Sequence, residues 1–329
     1  DLRMSRGLGD VYKRQFQRNI LTFLKTSFME AIDNNLVSCI IPSYKRTDTL
    51  RRAINSVLKQ TYKNIEVLIV DDNFNGDEYS EQVRNIVVSF DNPRIRLISQ
   101  PMHINGAEAR NAGVRAAKGE YIAFLDDDDE WLSEKIEKQL RFLKDNPIYD
   151  GCSVFYQEFN NNIVVHSCPP YIARDLFYKI FCREVAVLTP TVLLKKGCLI
   201  NTGIFDNSLK RHQDLQMLLR FTSKYNLGVL PEYLVKIHRD SEINRPNAKS
   251  IIEIKKKFFR SVQDLFDSCT SKEKRIIKFA HCYEVLFVAL KQKQFVMAIK
   301  YFFKAGISIK GYKLLIKRAQ DRKYINAEH

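Results

Sequence analysis

The chain has 329 residues, is 45% hydrophobic and 28% charged, and carries a formal net charge of +15. That composition suits a soluble globular protein of one large domain or two, and no apolar run reaches the roughly 18 residues of a membrane-spanning helix. The positive balance favours an anionic partner: nucleic acid, anionic lipid headgroups or a phosphorylated substrate. The seven cysteines include no C-x-x-C pair and cannot all pair internally, so a reducing compartment with structural thiols is the simplest reading, and a zinc site is not expected.

The segment GDVYKRQ (9–15) resembles the translation of a sequencing-library adapter. Residues 1–15 are therefore expected to be an artefact and 16–28 either genuine or upstream read-through, so 1–28 is treated as a non-native leader, with Met29 the first plausible initiator. No small-residue cleavage site follows the short apolar ILTFL, so no secretory signal is read there.

VSCII (37–41) is a short β-branched run and predicts a buried strand. A helix is expected to start near Asp48, a good N-cap residue, with Leu50, Ile54, Val57 and Leu58 on one face. IEVLIV (65–70) is a second strand, ending in Asp71-Asp72-Asn73. A polar helix over 78–90 and a strand IRLIS (95–99) follow. GAEARNAGVRAAKG reads as a helix closed by Gly119. YIAFL (121–125) is a fourth strand, followed by Asp126, Asp127, Asp128 and Asp129, then by a helix over 133–144 carrying Ile136, Leu140 and Leu143.

Strand and helix alternate from 37 to 144, which implies an α/β fold with a mostly parallel open sheet and helices on both faces. Ligands in such sheets bind beyond the carboxyl ends of the strands, where both acidic clusters stand. From 150 to 240 the pattern is mixed: strands CSVFYQEF, TVLLKK and LGVLPEYLVKIH, and a helix over 214–225. Beyond 249, amphipathic helices rich in lysine, arginine and aromatics predict a C-terminal helical extension. The boundary is set near 245, giving a domain over 29–245 (halves 37–145 and 150–245) and a basic extension over 246–329.

Carboxylates crowded at a strand end repel unless a cation sits among them. Mg²⁺ or Mn²⁺ suits oxygen ligands, usually one or two carboxylates plus substrate phosphates. An isolated run of aspartates would read instead as an acidic helix start. An EF-hand register from Asp126 fails because Trp131 stands where glycine is needed.

The succession of elements decides between these readings. VSCIIPSYKR, then VDD at the second strand end, ARNAG on a helix and FLDDDDEW at the fourth strand resemble, in order and spacing, the nucleotide-sugar-dependent glycosyltransferases of family 2, which have the GT-A fold. The resemblance covers roughly residues 37–240. It implies that Pro42, Ser43 and Tyr44 lie beside the nucleotide base, that Asp72 holds the base or ribose, and that Arg110 is near the nucleotide. It implies a metal at Asp128 and Asp126, with Asp126 nearer the ribose and Asp127 in the variable position of the D-x-D motif. Asp71 and Asp129 are expected to order their loops, and Trp131 to pack. A hydroxyl acceptor needs a base, and the resemblance assigns it to Asp214, whose position alone fits a helix cap equally well. Gln213 and His212 are expected near the acceptor, and His238 and Arg245 in a segment closing over the diphosphate.

The expected activity is inverting transfer of a sugar from a nucleoside-diphosphate donor, UDP being favoured, to a hydroxyl of a surface glycan or lipid-linked acceptor. Two other readings stand beside it. One is a catalytically idle, membrane-associated partner subunit. The other is a sugar-1-phosphate nucleotidyltransferase, against which IIPSYKRTDT argues because it holds no glycine. The basic tail fits equally an anionic membrane surface, with YFFKAGISIKGYKLLIKR (301–318) its best segment, and a packed helical subdomain with a solvated basic face. No recognition motif supports nucleic acid. The expected location is cytoplasmic, at the inner face of the membrane.

Overall fold

The structure, a computed structural model, describes residues 35–239, 246–306, 308 and 311–313. The expected leader, Arg245 and, within 301–318, residues 307, 309–310 and 314–318 lie outside the described residues. The first half runs β1 (Val37–Ser43), α1 (Leu50–Leu58), β2 (Ile65–Asp71), α2 (Glu78–Ser89), β3 (Ile95–Ser99), α3 (Gly106–Ala116) and β4 (Tyr121–Phe124). These strands form a wholly parallel sheet in the order β3-β2-β1-β4.

The second half adds β5 (Glu130–Trp131), α4 (Lys135–Asp145), β6 (Gly151–Asn160), β7 (Ile163–Ser167), α5 (Leu176–Phe181), β8 (Val192–Lys195), α6 (Lys196–Asn201), α7 (Gln213–Lys224) and β9 (Leu227–His238). It extends the same sheet as β4-β8-β6-β9-β5, with β7 on β6. The antiparallel pairs are confined to this half: β4 with β8, β8 with β6, β6 with β7, and β9 with β5.

Side-chain alternation along the strands divides the core. Ile40, Leu68, Val70, Ile122 and Phe124 face one side with α3 and α7. Cys39, Ile41, Val67, Ile69 and Ala123 face the other with α1, α2 and α4. Buried on both faces, β1 and β2 read as continuous apolar runs. The chain closes with α8 (Ala248–Ser261), α9 (Gln263–Ser268), α10 (Ser271–Lys291) and α11 (Phe295–Ala305). Phe258, Phe266 and Ile277 from these helices lie in the same core cluster as Phe124 and Phe221.

Several local expectations differ from what forms. Helix α1 is capped at Thr49, not Asp48, and Thr49 makes no side-chain cap bond because its own backbone is already helical (φ −92, ψ −22). Gly119 does not close α3, which ends at Ala116 with Ala117 extended. Its role is close approach: a Cβ there would stand 2.5 Å from the Leu36 carbonyl and 2.7 Å from the Ser38 nitrogen. Glu130–Trp131 is a strand because it pairs with Val235 and Lys236 of β9, so α4 begins at Lys135, two residues later than expected. Helix α11 stops at Ala305, where Gly306 takes φ 69, so 301–318 is not one helix. No helix among the described residues is long and apolar enough to cross a membrane.

Candidate active site

The carboxyl ends of β1, β2 and β4 converge on a cleft of about 420 Å³. Each wall has a local cause. At the end of β2, Asp71 turns inward and accepts bonds from Asn73 (backbone N at 3.1 Å, Nδ2 at 2.8 Å) and from Ser80 Oγ at 2.6 Å. This fixes the loop and the start of α2, and leaves Asp72 facing the cleft. Asp72 Oδ2 lies 2.8 Å from His103 Nδ1, and the His103 ring stacks on Tyr44 at 3.7 Å and 14°. Tyr44, His103 and Asp72 thus form an aromatic shelf with a carboxylate at its edge. Burial raises the pKa of Asp72, opposed by the charge of His103.

The acidic run after β4 is the second wall. Asp126 pairs with Arg110, projected from α3. Asp128 pairs with Arg46 of the β1–α1 loop, which also lies 3.7 Å from Asp127. The Tyr44 amide donates to Asp127 Oδ2 at 3.4 Å, and the His238 amide to Asp129 Oδ1 at 3.1 Å. Burial and the Asp128 charge, opposed by Arg46, push Asp127 up to about 8. Burial and the neighbouring Asp126 and Asp128 charges also raise Asp129 well above the usual carboxylate range. Four carboxyls thus face the ion-paired Arg46 and Arg110, and burial with crowding drives Asp127 and Asp129 towards their neutral, protonated forms.

A divalent cation would displace those protons, and hard oxygen donors lining a polar cleft fit Mn²⁺ or Mg²⁺. No three His, Cys, Asp or Glu side chains among the described residues converge as a complete metal site. The protein's share would be one or two carboxylates, the rest coming from phosphate oxygens and water. Ser43 Oγ is buried in the cleft wall and has no hydrogen-bond partner among the described residues.

Pro42, Ser43, Tyr44, Asp72, Arg110, Asp126, Asp127, Asp128 and His238 all line this cleft. His238 is buried, with Nε2 3.6 Å from Glu130. The first turn of α7 is not among the lining residues. His212, its cap, adopts φ 64 and packs edge-on against Phe258 at 5.5 Å. Burial and the Lys255 charge hold His212 down to about 3, so it is neutral. Gln213 turns back to the Leu209 carbonyl. Asp214 is half-buried in the first turn, near enough that its charge, with those of Asp126 and Asp127, outweighs burial and raises the pKa of Arg110.

Sequence reasoning missed Arg46 and His103. Arg46 stands two residues beyond the P-x-Y motif, after Lys45, so proximity to the motif could have flagged it. His103 sits in an irregular loop with no periodic or motif signal.

The family model for glycosyl transferase family 2 matches residues 38–200. The chain is also 31% identical over 254 residues to an Escherichia coli K12 protein provisionally assigned as the colanic acid biosynthesis glycosyl transferase WcaA, covering 73% of this chain and 86% of that one. The chain belongs to glycosyl transferase family 2. Over 137 residues it is 39% identical to the UDP-Glc:alpha-D-GlcNAc-diphosphoundecaprenol beta-1,3-glucosyltransferase WfgD of Escherichia coli, 41% of this chain and 51% of that one. The chain thus spans about half the length of that relative.

Among solved structures, S. aureus TarS 1-349 in complex with UDP-GlcNAc superposes with a TM-score of 0.59 at 18% identity, over 88% of this chain and 81% of that one. The mannosyltransferase PcManGT from Pyrobaculum calidifontis, in complex with GDP-Man and Mn²⁺, gives 0.54 at 16%, over 88% and 83%. At these identities the likeness is one of fold, and it agrees with the GT-A arrangement expected from the sequence.

Proposed function

We propose that this protein is a metal-dependent, inverting glycosyltransferase that moves a sugar from a nucleoside-diphosphate donor, UDP being favoured, to a hydroxyl of a lipid-linked acceptor in surface polysaccharide synthesis. The observation that carries the reading is the single cleft joining Asp72, Asp126, Asp127 and Asp128 at the ends of β2 and β4. The names of the family relatives support the donor and acceptor classes. The acceptor's chemistry would place the protein on the cytoplasmic face of a membrane.

In this reading the Tyr44–His103 shelf receives the nucleotide base and Asp72 holds the base or ribose. Asp128 and Asp126 would hold Mn²⁺ or Mg²⁺, which when bound offsets the charge developing on the leaving diphosphate. Arg46 and Arg110 keep the aspartates oriented beforehand. Asp214 takes the proton from the attacking hydroxyl, and one direct displacement inverts the anomeric carbon. His238, which lines the same cleft, is assigned to the diphosphate side.

The test is transfer from UDP-glucose to an N-acetylglucosamine-diphospholipid, followed by UDP release. Asp214→Asn should lower kcat by about 10²–10⁴-fold while leaving donor affinity unchanged. A wild-type rate in that variant would remove Asp214 as the base, and a wild-type protein that never releases UDP would favour an idle partner subunit.

A further inference from the structure

Helix α11 has two apolar faces, and only one is buried. At 100° per residue, Met297, Ala298, Tyr301 and Ala305 fall on one side. There Ala298 and Tyr301 are buried in a cluster with Ile251 of α8 and Val285, Leu286 and Ala289 of α10. Phe295, Val296, Ile299, Phe302 and Phe303 fall on the other, within an arc of roughly 120°. They are 62, 86, 58, 51 and 76% exposed. Exposed apolar residues scattered singly need no explanation, but five on one arc mark a contact surface.

Charge identifies the partner. Lys300 and Lys304, both exposed, border the arc. From residue 285 to 320 the sequence carries eight lysines and arginines and no aspartate or glutamate. A second copy is a poor occupant, because a two-fold contact would set this acid-free, lysine-rich stretch against itself. An anionic surface with an apolar interior suits both features. Apolar side chains enter the boundary between headgroups and acyl chains, and lysines reach the headgroups.

We propose that the Phe295–Phe303 face of α11 docks on an anionic lipid surface. The inference rests on the lipid-linked reading above for its purpose; the face itself stands on exposure and charge. It also moves the expected membrane segment from 301–318 to 295–304.

The full chain should co-sediment with vesicles of phosphatidylcholine mixed equally with phosphatidylglycerol, and far less with phosphatidylcholine alone. Added salt should weaken the binding. Val296→Asn/Phe303→Asn and Lys300→Glu/Lys304→Glu should each weaken it on the order of tenfold or more. Binding of UDP with Mn²⁺ by the first variant should equal wild type, which shows that its fold survives. The proposal is overturned if wild type ignores anionic vesicles or if both variants bind them as wild type does. It is equally overturned if Val296→Asn/Phe303→Asn instead dissolves a dimer of a protein that binds no vesicle. Vesicle binding without nucleotide binding would keep the docking face and remove the transferase reading; nucleotide binding without vesicle binding would do the reverse.

Discussion

Lys135 is fully buried, its ammonium donating to Gln139 Oε1 at 2.7 Å and lying 4.2 Å from the centre of the Trp131 ring. No carboxylate pairs with it among the described residues. Burial lowers its pKa from 10.5 to about 7. The unfolded chain therefore binds more protons between these values, and stability should rise with pH across that window and fall again as pH drops towards 7. The full difference is on the order of 5 kcal/mol. Lys135→Met should flatten that rise, at a cost of about 1 kcal/mol for the unpaired Gln139 oxygen. Denaturant melts of both proteins at neutral and alkaline pH would show it; parallel pH dependences would contradict it. Legibility at this scale depended on motifs. The cleft positions of Asp72, Asp126 and Asp128 could be anticipated because adjacent residues mark the strand ends that carry them. Arg46 and His103 gain their roles only through partners 82 and 31 residues away, which no local pattern encodes.

Elements were legible where burial imposed a period. The four parallel strands follow from apolar runs and helices α1 and α4 from one-face spacing, while α2 shows only as a polar stretch between strands and α3 only by its alanine content. Strand β5 escaped because two residues have no period, and pairing with β9 alone defines it. Gly119 misled for a related reason: its position suggested a helix cap, while contact with β1 sets its identity. Gly119→Ala should therefore destabilise by about 1–3 kcal/mol through overpacking, although its backbone lies outside the left-handed region. Thermal unfolding would measure this, and an unchanged Tm would show that the β1–β4 connection yields at no cost.

At the scale of the molecule, the sequence suggested a basic extension beyond about 245, but the core does not stop there. Phe258 and Phe266 pack around Phe181 at 6.3 and 6.1 Å. Lys255 donates to His281 Nδ1 at 2.9 Å and to Glu284 at 2.6 Å, so the His281 Nε2–H is left to donate to the Phe181 carbonyl at 3.0 Å. Through Phe258 the same cluster reaches His212, the cap of the helix that carries Asp214. Composition could not reveal this, because the residues joining the two parts are aromatics that suit a membrane face equally well.

The central claim is that loops from β1, β2 and β4 build one metal-assisted nucleotide site. Titration calorimetry of UDP, with and without Mn²⁺, on wild type and Asp128→Ala tests it most directly. Binding should require Mn²⁺ and be weakened at least about tenfold by the substitution. Equal binding by Asp128→Ala, or binding indifferent to the metal, would contradict it.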